Sequence, residues 1–248
     1  MFVSIYFMQK KLTTASAILY TLSVSVKMST LLYLPAIGLV LLFLSGTRNA
    51  LFMAGLMAQI QALLALPFVV GRRASLSGYV GRAFEFSREF MFKWTVNWRF
   101  VGQETFRSAQ FKYTLLASHI GLLLFFLYTR WIRPSGKSLA GIASFALKFP
   151  SANDGEVLYI SHAMTPQIIL TTLFSCNMIG MLCARSLHYQ FFSWMAWSTP
   201  FLLWRSGLGL PFVYTVWLAQ EVAWNIYPSE GHMINSLVFL TLLTEDRH

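Results

Sequence analysis

The feature that most restricts this chain is its run of uncharged apolar segments. Residues 50–70 contain 21 positions without one charged side chain. As a helix rising 1.5 Å per residue, a segment of this length matches a hydrocarbon core of about 30 Å. Seven further stretches are similarly apolar, at 12–26, 31–46, 113–129, 165–183, 189–204, 208–225 and 233–243, and of these only 208–225 carries a charged side chain, Glu221. Not all reach the roughly 20 residues of a full span, the first and last least so. A shorter helix is tolerated where it is buried in a bundle or breaks beside a cavity. Hydrophobic residues make up 56% of the chain and charged residues 11%, against about 25% charged in soluble domains. The pattern predicts an all-α polytopic membrane protein. It predicts one helical domain over 1–248 with about eight transmembrane helices and long connections at 71–112 and 130–164. Lys10 and Lys11 precede the first apolar run in the order of a signal peptide. Another apolar stretch precedes them, so this span is read as retained.

The net charge is +10, but the cations are dispersed over loops. They form no stripe of the kind that binds nucleic acid, so no nucleic-acid partner is expected. Lys and Arg fall nearly evenly on the two sides of an eight-span arrangement, so charge bias sets no orientation. The same arrangement puts segment 71–112, the Arg185–His188 turn and the 227–232 connection on one side. Cys176 and Cys183 lie on one apolar segment, about 10.5 Å apart along a helix, too far for a disulfide. Two cysteines alone make no metal site, and both are read as core residues. The sequence has no GxGxxG, no P-loop and no Asn-x-Ser/Thr sequon. It also lacks an Asp-x-Asp pair to hold a metal–nucleotide, which argues against a nucleotide-sugar donor. No metal and no cofactor is expected.

Three places concentrate polar chemistry among the apolar runs. The first is ARSLHYQFFSW, residues 184–194. On a helix, Arg185, His188 and Tyr189 would share one face at i, i+3 and i+4. Arg offers a fork of donors to a phosphate, and His or Tyr adds a hydrogen bond. The group reads either as a pocket for a lipid-linked phosphate or as an Arg–aromatic anchor at the water interface. The second is FEFSREFMFKWTVNWRF, residues 84–100, where the even-numbered positions are apolar except Arg88. Period two suggests an extended segment, and the aromatic density suggests the membrane interface. Helix and extended chain both remain open. The third is Glu221, a carboxylate within an apolar span. It needs a partner or a raised pKa, and Arg185 and Arg205 are the candidates. Further on, Thr165 is a candidate N-cap before Pro166, and Tyr227-Pro228 marks a helix end.

Four blocks carry a resemblance: SVSVKMSTLLYLPA (23–36), FKWTVNWRF (92–100), TTLFSCNMIGMLCARSLHYQFFSW (171–194) and EVAWNIYPS (221–229). In order and spacing they resemble the dolichyl-phosphate-mannose-dependent alpha-1,3-mannosyltransferases of asparagine-linked glycan assembly. WTVNWRF and RSLHYQF are the most specific. The resemblance covers about residues 12–243. It implies a GT-C type glycosyltransferase spanning the endoplasmic reticulum membrane many times. The implied donor is dolichyl-phosphate mannose and the implied acceptor a dolichyl-diphosphate oligosaccharide, with inversion at the anomeric carbon and no metal. It places segment 71–112 and the Arg185–His188 turn in the lumen. Taken together, the candidate substrate-binding residues are Trp94, Asn97, Trp98, Arg99, Arg185, His188, Tyr189 and Glu221.

Family members are longer at the N-terminus, where the expected catalytic base lies in a first luminal loop. Inversion needs a carboxylate to take the acceptor proton. Glu85, Glu89, Glu104 and Glu230 fall on the luminal side but match no known base position. Asp154, Glu156 and Asp246 fall on the other side. The expectation is therefore an N-terminally truncated enzyme, inactive in transfer by itself. Two other classes compete. One is a non-catalytic membrane partner that retains lipid-phosphate binding. The other is a transporter, which Glu221 and the basic loops would permit although nothing selects a solute.

Overall fold

The computed structural model describes residues 1–70, 73–83, 91–148, 154–228 and 231–243. Among them every regular element is helical. The chain clusters into two compact units. One is built from Met1–Glu89 and Ile132–Leu170, the other from Phe90–Trp131 and Thr171–His248.

In the first unit, helices α1 (Phe2–Gln9) and α2 (Thr13–Val26) fold back on each other at Lys11, which takes a positive φ of 59°. Serines seal the pair. The Ser4 hydroxyl donates to the Ser16 carbonyl and the Ser16 hydroxyl to the Ser4 carbonyl, both at 2.8 Å. Small residues of this kind let helices approach closely in an apolar setting. Helix α3 (Leu34–Val70) is broken at Gly46, where φ is 73° and ψ is 170°. That conformation favours glycine, and it separates the expected spans 31–46 and 50–70. The portion after the break packs along α2. Thr21 Oγ1 donates to the Met57 carbonyl at 3.2 Å and Gln61 Nε2 to Ser25 Oγ at 2.9 Å. Both pairs have the same offset, so α2 and this portion run in the same direction. Tyr20, Ile37, Leu41 and Phe43 form the core and are almost completely buried.

Segment 130–164, expected as a loop, instead forms helices α7 (Leu139–Leu147) and α8 (Asp154–Ala163). Glu156 holds this region together, taking Lys137 Nζ at 2.5 Å and Lys148 Nζ at 3.3 Å. The hydrogen bond from Lys137 pulls the Glu156 carboxyl below the usual carboxylate range. Lys11 Nζ donates to the Ser161 carbonyl at 2.7 Å and ties α8 to the α1–α2 turn. Segment 71–112 also holds helices. They are α4 (Arg73–Ala83), α5 (Gln103–Arg107) and the start of α6 (Ala109–Phe126).

Helix α9 (Pro166–Cys183) opens as the sequence anticipates, with Thr165 Oγ1 accepting from the Ile168 amide at 3.3 Å. In the second unit α6 passes into a π-helical turn ending at Trp131. Trp131 Nε1 donates to Ser175 Oγ on α9 at 3.0 Å. Helices α10 (Phe192–Arg205), α11 (Leu210–Asn225) and α12 (Gly231–Leu243) complete the unit. Cys176 is buried and Cys183 half-buried, and the two are not joined in a disulfide.

Three described segments are long and apolar enough to cross a membrane: Met28–Val70, Ala109–Ser135 and Pro166–Cys183. The chain is a membrane protein whose described regular elements are all helical. The other expected spans are helices too, but α2, α10, α11 and α12 have only 14, 14, 16 and 13 residues.

Candidate functional site

The site lies in the second unit and begins where α9 ends. Residues 184–188 are not helical, and a 3-10 turn starts at Tyr189. The expected helical face joining Arg185, His188 and Tyr189 therefore does not form. The reason is a competing partner for the backbone. The Val96 amide donates to the Leu187 carbonyl at 2.9 Å, and the Leu187 amide donates to Asn97 Oδ1 at 3.0 Å. A residue whose amide and carbonyl both point across to another segment cannot also serve a helix ladder. Segment 92–100 follows the same logic. It is neither a strand nor one helix but two 3-10 turns, Phe92–Trp94 and Arg99–Val101, flanking a clasped centre. Its period-two pattern does not become alternating burial, because Thr95, Val96 and Asn97 are buried in succession. Positions 84–90 lie outside the described residues.

The clasp uses nearly every polar group it contains. Asn97 is fully buried, and its Nδ2 donates to the Ala184 carbonyl at 2.8 Å. Trp98 Nε1 donates to the same carbonyl at 2.9 Å. Ala184 follows the last residue of α9, so these two donors satisfy a carbonyl that a helix C-terminus leaves open. The Thr95 and Ser186 hydroxyls pair at 2.9 Å. His188 Nδ1 lies 2.9 Å from the Trp94 carbonyl. A carbonyl can only accept, so Nδ1 carries the proton and Nε2 is left for another partner.

Beside the clasp is a cleft of about 590 Å³ lined by Lys93, Trp94, Thr95, Val96, Arg99, His188, Tyr189, Gln190 and Tyr227. Among the described residues its charged lining consists of two cations, Lys93 and Arg99, with no carboxylate. Lys93 Nζ sits 5.4 Å from the Trp94 ring centre. Tyr189 is braced from behind, donating its hydroxyl to the Ile226 carbonyl at 3.0 Å, and its ring faces Tyr227 at 6.3 Å. The cleft therefore offers positive charge, imidazole and aromatic walls to an anion that carries an apolar or sugar portion.

Four of the eight residues singled out in the sequence line this cleft: Trp94, Arg99, His188 and Tyr189. Asn97 and Trp98 stand behind it as clasp residues. Arg185 points elsewhere. Its Nη2 donates to the Phe106 carbonyl at 3.0 Å, and its guanidinium lies over the Phe106 ring at 5.1 Å. Glu221 is half-buried on α11 and forms no ion pair among the described residues. Neither Arg185 nor Arg205 pairs with it. Glu85, Glu89, Glu230 and Asp246 lie outside the described residues. Sequence reasoning missed Lys93, Thr95, Val96, Gln190 and Tyr227 as individual lining residues. Each belongs to or adjoins a block that carried the resemblance, but only the clasp brings them together.

The family model described as ALG3 protein matches residues 1–233. The chain belongs to the ALG3 protein family. Among curated relatives, an enzyme of Neurospora crassa is 47% identical over 232 residues, covering 92% of this chain and 52% of the relative. A human relative is 36% identical over 236 residues, covering 90% of this chain and 50% of the relative. An Arabidopsis thaliana relative is 36% identical over 226 residues, covering 89% and 50%. All three are named Dol-P-Man:Man(5)GlcNAc(2)-PP-Dol alpha-1,3-mannosyltransferase. The chain spans about half the length of these ALG3 relatives. No solved structure matches it. The ALG3 match covers both the clasp and the cleft.

Proposed function

We propose that this chain forms the lipid-phosphate half of a dolichyl-phosphate-mannose-dependent alpha-1,3-mannosyltransferase in the endoplasmic reticulum membrane. The acceptor in this reading is the dolichyl-diphosphate oligosaccharide with five mannoses. The observation that carries the reading is the cleft, where Lys93, Arg99 and His188 converge, with no carboxylate among the described lining residues, on segments belonging to an ALG3 family match. The architecture proposed around it is a GT-C type bundle with about eight spans. The cleft and segment 71–112 would face the lumen.

The chemistry asks for more positive charge in the transition state than in the ground state. Donor dolichyl-phosphate mannose is a phosphodiester with one negative charge. As the acceptor hydroxyl attacks the anomeric carbon, the C–O bond to phosphate breaks and its electron pair stays on the phosphate oxygen. The leaving dolichyl phosphate then carries a second charge. Two cations, where the ground state needs one, stabilise the leaving group more than the substrate, and this difference lowers the barrier. In this reading His188 Nε2 approaches the same phosphate, and Trp94, Tyr189 and Tyr227 pack against sugar or prenyl chain. Asn97, Trp98 and Arg185 hold the frame, and Glu221 borders the site from α11. A carboxylate base for the acceptor hydroxyl is assigned to none of the cleft residues.

The test is expression in a host lacking its own enzyme, with lipid-linked oligosaccharide size as the readout. In a full-length context, growth beyond five mannoses with the wild-type cleft and arrest with Lys93→Gln plus Arg99→Gln is the expected result. Extension that survives the double substitution would remove the cleft from the reaction. Binding of dolichyl phosphate without any extension would favour the non-catalytic partner.

A further inference from the structure

The cleft has two walls from distant parts of the sequence, residues 93–99 and 188–190, and its use depends on their separation. The clasp joins the walls to each other. One polar group of the clasp points away from both. The Asn97 carbonyl accepts from Asn235 Nδ2 of α12 at 3.2 Å. The start of α12 presses on the same place. Gly231 packs so closely against the Val96 and Asn97 carbonyls that any Cβ there would land on them. Neither Gly231 nor Asn235 lines the cleft.

Asn235 is an unexpected residue for this position. It is 7% exposed within an apolar helix, and its Oδ1 is buried without a partner among the described residues. A buried amide with half its hydrogen bonds unmade opposes folding. Leucine would fill the space and remove that penalty, but would leave the Asn97 carbonyl without its donor. The one contact that distinguishes asparagine from leucine here is the donation to Asn97.

We propose that Asn235, with Gly231, positions the cleft: α12 props the 93–99 wall from behind and so sets Lys93 and Arg99 against His188. The proposal rests on the lipid-phosphate reading of the cleft, and its test separates the two. Wild-type chain and Asn235→Leu are compared in nanodiscs for farnesyl phosphate affinity, thermal unfolding and the imidazole nitrogen resonances of His188. The expected result is affinity lower by about tenfold, the loss of roughly one charge-assisted contact to the phosphate. The His188 signal should move from a pure Nδ1–H form towards mixed tautomers as the Trp94 carbonyl drifts. The melting temperature should change little, because losing the unpartnered Asn235 Oδ1 offsets leaving the Asn97 carbonyl without its donor. A residue with only a packing role would not separate stability from binding in this way.

Wild-type affinity together with a wild-type His188 signal in Asn235→Leu would overturn the proposal. If the wild-type chain does not bind farnesyl phosphate, the lipid-phosphate reading fails, and the His188 signal alone decides the positioning role. If Asn235→Leu does not accumulate, Asn235→Ser, whose hydroxyl is too short to reach the Asn97 carbonyl, must show the same shift.

Discussion

At the scale of single residues the central contrast is between Arg99 and Arg185. Both belong to motif blocks, yet only Arg99 lines the cleft, while Arg185 is committed to Phe106. Arg99→Gln is expected to lower kcat for mannose transfer by about tenfold to a hundredfold, the equivalent of one charge-assisted phosphate contact of roughly 1.5–3 kcal/mol. KM should change less, because the missing charge matters most when the leaving phosphate gains its own. Steady-state kinetics with dolichyl-phosphate mannose would show the split. Arg185→Ala should instead lower the melting temperature, with a cost towards the bottom of the same range because the side chain is half-exposed. Arg185→Lys should recover part of it, since an ammonium can reach the Phe106 carbonyl but does not stack as a guanidinium does. Unchanged melting with lost transfer in Arg185→Ala would return Arg185 to the substrate.

At the scale of elements, glycine positions discriminate between close approach and mere helix. Gly231→Ala places a methyl on the Asn97 carbonyl and is expected to destabilise by about 1–3 kcal/mol, the usual cost of overpacking. Gly55→Ala, with open space where its methyl would sit, should stabilise α3 by about 0.5–1 kcal/mol. Unfolding of the two variants in the same detergent compares them directly. The α7–α8 region makes a separate prediction in pH. Lys137 and Lys148 hold the Glu156 carboxyl below its ordinary value of 4.5. The folded form is therefore the stronger acid. Its contribution is fully present above that value and is lost as pH falls through the depressed one. The melting difference between wild type and Glu156→Gln should be constant near neutrality and shrink as pH drops below about 4.5. A difference that grows on acidification would contradict the assignment.

At the scale of the whole molecule the apolar helices dictate the medium. Leu51 and Phe52 of α3 and Leu116 and Leu124 of α6 are each more than half exposed, a cost in water and none in hydrocarbon. The topology reading places segment 71–112 in the lumen and the α7–α8 region in the cytosol. A sequon introduced near Gln103 should be glycosylated and one near Lys148 should not. The reverse pattern would invert the proposed orientation and remove the cleft from the compartment where its donor is used.

Apolar run length alone determined that this chain is helical and membrane-bound, because an unpaired backbone cannot survive in hydrocarbon. Thr165 before Pro166 was legible for a similarly local reason: capping depends on neighbours within one turn. The blocks around Trp94 and His188 were legible as important, but their conformation was not. Helical spacing at Arg185, His188 and Tyr189 described a face that never forms, since the Leu187 amide and carbonyl bond to residues about ninety positions away. Periodicity records only local preferences, and a non-local backbone partner overrides them. The same long-range pairing decided that Asn97 is buried in the clasp and that Arg185 faces Phe106. It also brought Lys93, Arg99 and His188 to one cleft.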